Sequence, residues 1–398
     1  MSSDQPGVRQ LEPVHTMATP ASQTLSHARQ QTGERGLDDY FIVDVDSHRE
    51  PTSCWNEIGE YIEDPRLRAY FDYRTSVKGQ EPPYMVRGFH GGHGFQRMFG
   101  RVVHGEGQPS AEDSVHRDVA RCREAMDALG IDIQVVFPTV LLGLGMSPTP
   151  EAEAYLAYAY DRWFVERICP EESRIKFLPF LPMRSPDMCL RIVRELGGKP
   201  GVVGFLVTSV RRDPVQDNRY MALYAELEER GYPLAFHAGP TWDDEWTRSM
   251  NRFIAVHALT FVHCNMVHMT NWIINGLPEK FPGLRTIWIE SGLAWVPFLM
   301  QRLDSEFLKR TNEAPLLRRL PSEYMREMYY TTQPMERDNL DLLESTMRAM
   351  NAETQLVYAS DWPHWDFDLP SSVIDLPFLS GQAKRNILGE NARRLFRL

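Results

Sequence analysis

Hydrophobic residues in this chain fall into short continuous runs, separated by longer stretches in which they recur every three or four positions. The runs at 41–45, 133–137, 175–180, 202–207, 233–236, 286–289, 328–331 and 356–359 predict strands buried on both faces. Between most of them, segments such as 150–169, 186–196, 219–230 and 262–277 carry the helical period. Strands and helices in alternation read as an α/β fold, a (β/α)8 TIM-like barrel, because each parallel strand is reached by a right-handed crossover that lays a helix over the sheet. A doubly wound open sheet is the alternative, but no G-x-G-x-x-G follows the first strand.

Two regions depart from the alternation. Residues 1–38 are rich in Ser, Thr, Gln and Pro without an apolar period, which predicts a disordered N-terminal tail ahead of a barrel over 39–398. A long insertion after the first strand, about 49–120, is dense in Gly, Pro, His and aromatics, including Gly88-Phe89-His90-Gly91-Gly92-His93-Gly94-Phe95. A connection of that length is commonly a lid or a small subdomain, here a cap over the barrel mouth, with a surface decoration or dimer contact as the rival reading.

Composition narrows the class of partner. A net charge of -11 over 398 residues argues against nucleic acid, whose phosphates call for a basic surface, and leaves a small-molecule substrate. No run of about 18 uncharged apolar residues is evident, so neither a membrane span nor a membrane partner is expected. The five cysteines contain no C-x-x-C pair, which fits a reducing compartment; a cytoplasmic location is the default, and a homodimer is compatible with it.

Several strand ends carry metal-ligand side chains. Asp46 and His48 alternate along the first strand, so both leave one face. His237 ends the fifth strand, Glu290 the sixth and Asp361 the eighth. One such residue means little; together on the C-terminal rim of a parallel barrel, Asp46, His48, His237, Glu290 and Asp361 form the kind of rigid ligand set a metal site needs. Three carboxylates and two imidazoles suit Zn, Fe or Mn, and suffice for one divalent ion or for two if a carboxylate or hydroxide bridges. His263, near His257 and His268, reads first as a surface or helix-cap histidine, with a further ligand or proton carrier as the alternative. His364 and Trp365 follow Asp361 closely enough to orient it. Trp242, Trp246, Trp295 and Trp362 near strand ends suggest an apolar wall, or simply barrel filler.

The motifs Val43-Asp44-Val45-Asp46-Ser47-His48, Met126-Asp127-Ala128-Leu129-Gly130-Ile131-Asp132, Phe236-His237-Ala238-Gly239-Pro240, Lys280-Phe281-Pro282-Gly283-Leu284, Ser360-Asp361-Trp362-Pro363-His364 and Ile387-Leu388-Gly389-Glu390-Asn391-Ala392-Arg393-Arg394-Leu395-Phe396 together carry a family resemblance. From Asp39 to Leu398 the chain resembles the amidohydrolase superfamily, in the branch of aminocarboxymuconate-semialdehyde decarboxylase and related aromatic-acid decarboxylases. The resemblance implies that Asp46, His48, His237 and Asp361 bind a divalent metal. It also aligns Glu290 with a histidine that decarboxylases of the branch keep beside the metal.

That substitution shapes the expected reaction. An imidazole can deliver a proton to carbon near neutral pH, whereas a carboxylate facing a metal is normally ionised. The leading expectation is therefore hydrolysis of an ester, thioester or amide of a bulky apolar acid by metal-activated water, with Asp361 and Glu290 as the catalytic carboxylates. The alternative is metal-dependent, non-oxidative decarboxylation of an aromatic or unsaturated acid, with Asp361 protonating carbon. A barrel that only binds ligand is the third reading.

Overall fold

The structure, a computed structural model, describes residues 21–49, 54–78, 115–147, 149–242 and 244–398. Eight parallel strands run in chain order: β1 Val43–Arg49, β2 Ile133–Pro138, β3 Ile175–Phe177, β4 Phe205–Thr208, β5 Leu234–His237, β6 Thr286–Ile289, β7 Tyr329–Thr331 and β8 Leu356–Val357. Two regular ladders, β1-β2-β3 and β4-β5-β6-β7-β8, are joined at both seams. Phe177 bridges to Val202 and Phe180 to Leu206 at one seam. At the other, Ser47 bridges to Trp362, and the amides of Val45 and His48 donate to the carbonyls of Tyr358 and Trp362 at 2.9 and 2.8 Å. The ring closes as the expected barrel, which leaves no open sheet edge.

The helices cover the outside. Segments Pro150–Trp163, Pro186–Leu196, Met221–Arg230 and Phe253–Ile274 stand where the helical period predicts them, although the last starts well ahead of the expected residue 262. Aromatic stacking locks helix to sheet: the Phe236 ring lies 4.3 Å from that of Trp288 with 9° between planes, and Trp272 of the Phe253–Ile274 helix meets Phe236 edge-on at 5.6 Å. That helix is long and apolar enough to cross a membrane, contrary to the expectation that no such stretch exists. Its Val256, Phe261, Met269, Trp272 and Ile273 are buried, so the helix owes its apolarity at these positions to the barrel wall.

The expected disordered tail does not extend to residue 38. Ala21–Glu34 forms a helix whose Leu25 and Ala28 are buried, followed by a short turn that buries Leu37. The Thr32 hydroxyl donates to the Ala128 carbonyl at 3.3 Å, and the Arg35 guanidinium grips both oxygens of Asp375. Few apolar residues mark this segment, and it is ordered by docking on the Arg117–Leu129 helix. Within the insertion, Trp55–Gly59 and Pro65–Lys78 are helical, with Trp55, Ile58 and Phe71 in the core. Residues 79–114, including the Gly88–Phe95 motif read as part of a cap, lie outside the described residues.

The C-terminal segment supports β8 from below. The Tyr358 amide donates to the Ile387 carbonyl at 2.9 Å, and the Asn391 side chain donates to the Leu356 carbonyl at 2.7 Å. Gly389 sits so close to the chain at Phe41 that a Cβ there would overlap the Phe41 carbonyl. Gly389→Ala should therefore destabilise the fold by about 1–3 kcal/mol, read as a lower midpoint in urea unfolding; an unchanged midpoint would mean the two segments separate at no cost.

Candidate metal centre

Strand geometry delivers the donors. All seven residues of β1 are buried, and a bulge between Asp44 and Ser47 turns the strand end as it meets the segment after β8. Glu290 and Asp361, one residue past β6 and four past β8, hold φ at 54° and 60°. A left-handed backbone at a non-glycine residue costs on the order of 1–3 kcal/mol and persists only where the surroundings dictate it. Here the Glu290 amide donates to Thr331 Oγ1 at 3.0 Å, and the Asp361 amide to the Asp46 carbonyl at 2.7 Å. The strain turns both carboxylates at the ends of their strands.

Four ligand atoms converge, from Asp46, His48, His237 and Glu290, and Asp361 joins them through His48. His48 Nε2 lies 2.9 Å from Asp46 Oδ1, 3.1 Å from Asp361 Oδ1 and 3.3 Å from His237 Nε2. His237 Nε2 is in turn 3.4 Å from Asp46 Oδ1 and 3.4 Å from Glu290 Oε2. Ligands bound at about 2.1 Å stand roughly 3.0–3.4 Å apart in octahedral or tetrahedral sets, so these separations are those of a coordination shell. The ring nitrogens turned away are held: His237 Nδ1 donates to the Ala238 carbonyl at 2.6 Å, and His48 Nδ1 pairs with Thr139 Oγ1 at 2.9 Å. That leaves two Nε2 atoms facing each other, an arrangement relieved by a shared cation. The other oxygen of fully buried Asp46, Oδ2, has no hydrogen-bond partner among the described residues. The donor set thus fits a divalent metal.

Charge follows from the same contacts. Burial opposes ionisation of Asp46, but the imidazoles of His237 and His48 outweigh it and hold the carboxyl well below the usual range. Burial likewise opposes the imidazolium of His48, yet Asp46 and Asp361 push its pKa up to about 9. In the ion-free protein at neutral pH His48 therefore carries a proton that an arriving metal must displace. Apparent metal affinity should rise about tenfold per pH unit between pH 7 and 9, with proton release on binding. A chelator-competition titration at several pH values checks this, and a flat profile would contradict it.

Behind the ligands lies a buried scaffold. Asp44 accepts from the Ser360 amide at 2.8 Å, the Ser360 hydroxyl at 2.7 Å, the Asp46 amide at 3.2 Å and the Gln134 side chain at 3.3 Å. It ties β1 to the loop that carries Asp361, and burial pushes its carboxyl up to about 7. His364 Nδ1 meets Asp361 Oδ1 at 2.5 Å while its ring lies 4.2 Å from that of His48, as its spacing from Asp361 suggests.

Other expected residues go elsewhere. His263 stacks on Trp246 at 3.9 Å and faces Asp244, apart from the donor groups, which corrects its reading as a further ligand. His268 is buried, pairs with the Ser209 carbonyl at 3.0 Å and is pushed down to about 4 by burial. Of the proposed aromatic wall, Trp246 is 66% exposed, Trp242 donates to the Met250 carbonyl, Trp295 to the Gly292 carbonyl, and Trp362 meets Phe367 edge-on. The ring that does flank the donors is Phe137, 5.2 Å from His237 and 6.0 Å from His48. Sequence reasoning also passed over Thr139, His257, Gln333 and Asp366. His257, Glu290 and Asp366 form a further donor group beside the first. Only Asp366 had a signal, its place two residues past the Ser360–His364 motif.

Residues 102–398 match the amidohydrolase family model. A γ-resorcylate decarboxylase of Polaromonas sp. is 22% identical over 287 residues, 69% of this chain and 85% of that protein. Two Rhizobium proteins of the same name match at 23% identity. An amidohydrolase structure from Mycobacterium avium subsp. paratuberculosis superimposes with a TM-score of 0.68 at 20% identity, over 90% of this chain and 98% of the other. A Polaromonas dihydroxybenzoic acid decarboxylase with bound manganese and the inhibitor 2-nitroresorcinol gives 0.60 at 18%, over 90% and 97%. These relatives overturn the expectation of a hydrolase: the named enzymes are decarboxylases. The inference from Glu290 failed because it assumed that an imidazole at that one position decides the reaction.

Proposed function

The chain belongs to the amidohydrolase family, and from that membership we propose a metal-dependent, non-oxidative decarboxylase of an aromatic carboxylic acid. The observation that carries the proposal is Asp361. Its carboxylate stands at the edge of the donor cluster, contacted through Oδ1 by His48 and His364 and through Oδ2 by the Gln333 amide at 3.4 Å. A group so placed can hold a proton and hand it to a ring carbon as the bond from that carbon to the carboxylate breaks. Asp46, His48 and His237, with Asp361, are the proposed metal ligands. These residues would hold a divalent ion, which would supply positive charge against the substrate carboxylate and a neighbouring oxygen. Manganese is the first ion to test, since the Polaromonas decarboxylase structure holds it. Phe137 offers an aromatic face beside the ligands.

A panel of aromatic acids tests the proposal. Manganese-loaded protein should release carbon dioxide from acids bearing a hydroxyl next to the carboxylate, and turn over analogues lacking it at least about 100-fold more slowly. Failure of every acid in the panel, with metal bound, would remove the decarboxylase reading.

A further inference from the structure

A different group of donors shares no residue with the barrel centre. Cys54, just ahead of the Trp55–Gly59 helix, Glu57 on that helix and His116 at the start of the Arg117–Leu129 helix offer ligand atoms that all lie within 4.8 Å of one another. His116 Nε2 is 3.3 Å from Glu57 Oε2 and 3.9 Å from Cys54 Sγ. A tetrahedral zinc, with bonds of about 2.0–2.1 Å to nitrogen and oxygen and about 2.3 Å to sulfur, sets its nitrogen and oxygen about 3.3 Å apart and its nitrogen and sulfur about 3.5 Å. The first pair already stands at that separation, and the second closes by a few tenths of an ångström.

The neighbours hold this arrangement and suit a charged sulfur. Trp163 Nε1 donates to Glu57 Oε2 at 3.0 Å, and the Trp163 ring lies 5.8 Å from that of His116. Arg117 Nη2 donates to Cys54 Sγ at 3.0 Å. A guanidinium can only donate, so the sulfur is the acceptor, and the bond strengthens when it is a thiolate. Asp118 Oδ2 stands 3.3 Å from the same sulfur and 3.8 Å from His116 Nδ1. Without an ion, Nδ1 accepts from the Asp118 amide at 3.2 Å, and burial, with the charge of Asp118, pushes the thiol up to about 12. With Nε2 on an ion, Nδ1 carries the ring proton and turns it toward the Asp118 carboxylate, while the thiol proton leaves. Cys54 is 1% exposed and the Glu57 side chain 42%, so the group is closed on one side and open on the other, where water completes four positions.

We propose that Cys54, Glu57 and His116 hold a zinc ion in a structural site separate from the barrel centre. Thiolate is a soft ligand that selects zinc, and cobalt as its stand-in, over manganese, which prefers carboxylate and water. The barrel-centre donors are nitrogen and oxygen alone, so the two sites differ in the metal they favour. Cys54 and His116 are 62 residues apart in the chain. A shared ion ties the Trp55–Gly59 helix to the Arg117–Leu129 helix, which leads into β2, and a cross-link between positions so distant stabilises by restricting the unfolded chain. The site is independent of the reaction proposed above.

Cobalt is the probe, because a thiolate bonded to Co²⁺ gives an intense charge-transfer band in the near ultraviolet that nitrogen and oxygen ligands do not. The full chain, stripped by chelator and titrated with Co²⁺ in thiol-free buffer, should develop that band. His237→Ala, altered only at the barrel centre, should keep it at full amplitude. Cys54→Ser should lose it and bind one ion fewer per chain by elemental analysis, with circular dichroism unchanged. Glu57→Gln should weaken the cobalt affinity read from the band by at least about 10-fold. Added Zn²⁺ should abolish the band, and the same amount of Mn²⁺ should leave it. If Cys54→Ser fails to fold, the wild-type band and the Glu57→Gln titration decide. No band in the wild-type chain at saturating cobalt, or the same band in folded Cys54→Ser, would overturn the site, and an unchanged affinity in Glu57→Gln would overturn the three-ligand set.

Discussion

Asp361→Asn should lower kcat for carbon dioxide release by about 100- to 10,000-fold, the range expected when a proton-transferring group is lost. The substitution is nearly isosteric, and the residue's left-handed backbone, φ 60°, tolerates asparagine better than most residues. The amide to the Asp46 carbonyl and the Gln333 contact at Oδ2 have room to persist. What changes is chemical: the atom facing His48 at 3.1 Å and His364 at 2.5 Å can no longer carry an acid proton. If Asp361 acts in proton delivery, kcat falls while KM shifts little. A rise in KM with kcat preserved would make Asp361 a ligand only, and proton delivery would have to move to another group.

His237→Ala should remove metal and activity together. This imidazole meets His48, Asp46 and Glu290 at 3.3, 3.4 and 3.4 Å, more of the converging atoms than any donor but His48. It ends β5, whose four residues are all buried and whose ladder runs from Phe205↔Leu234 to His237↔Ile289. Those bonds are backbone bonds, so alanine keeps them and the barrel stays folded. Metal affinity should fall by about 100-fold or more, with turnover reduced in proportion to ion content. Elemental analysis beside a thermal melt separates the cases: full metal content in a folded variant would contradict the ligand assignment.

How much of this was legible in the sequence depends on what kind of order each feature requires. The barrel strands announce themselves as apolar runs, because a strand covered on both faces has no polar alternation to obscure it. Asp46, His48, His237, Glu290 and Asp361 follow from those runs, each at or just past a strand's C-terminal end. Their convergence is a property of the closed parallel ring more than of any local motif. Features that depend on tertiary docking were not legible. The Ala21–Glu34 helix has too few apolar residues to stand alone and is ordered by the Arg117–Leu129 helix beneath it. On the Phe253–Ile274 helix, His257, His263 and His268 look alike in sequence, yet one meets Asp366, one stacks on Trp246 and one is buried against Ser209. Which of them faces the site depends on how the helix is rotated against the barrel, and a segment apolar on most sides carries no pattern that fixes this rotation. Gln333 was missed for a related reason, since its unused oxygen exists only once the loop after β7 meets the one after β8.

The reaction itself is the claim on which the rest turns, and one isotope experiment addresses it directly. Manganese-loaded protein is incubated in D₂O with an aromatic acid carrying a hydroxyl beside its carboxylate, and product and gas are analysed together. Carbon dioxide should equal acid consumed, with one deuterium at the ring carbon that held the carboxylate. Consumption of the acid with its carboxyl carbon retained in the product would contradict the decarboxylase reading.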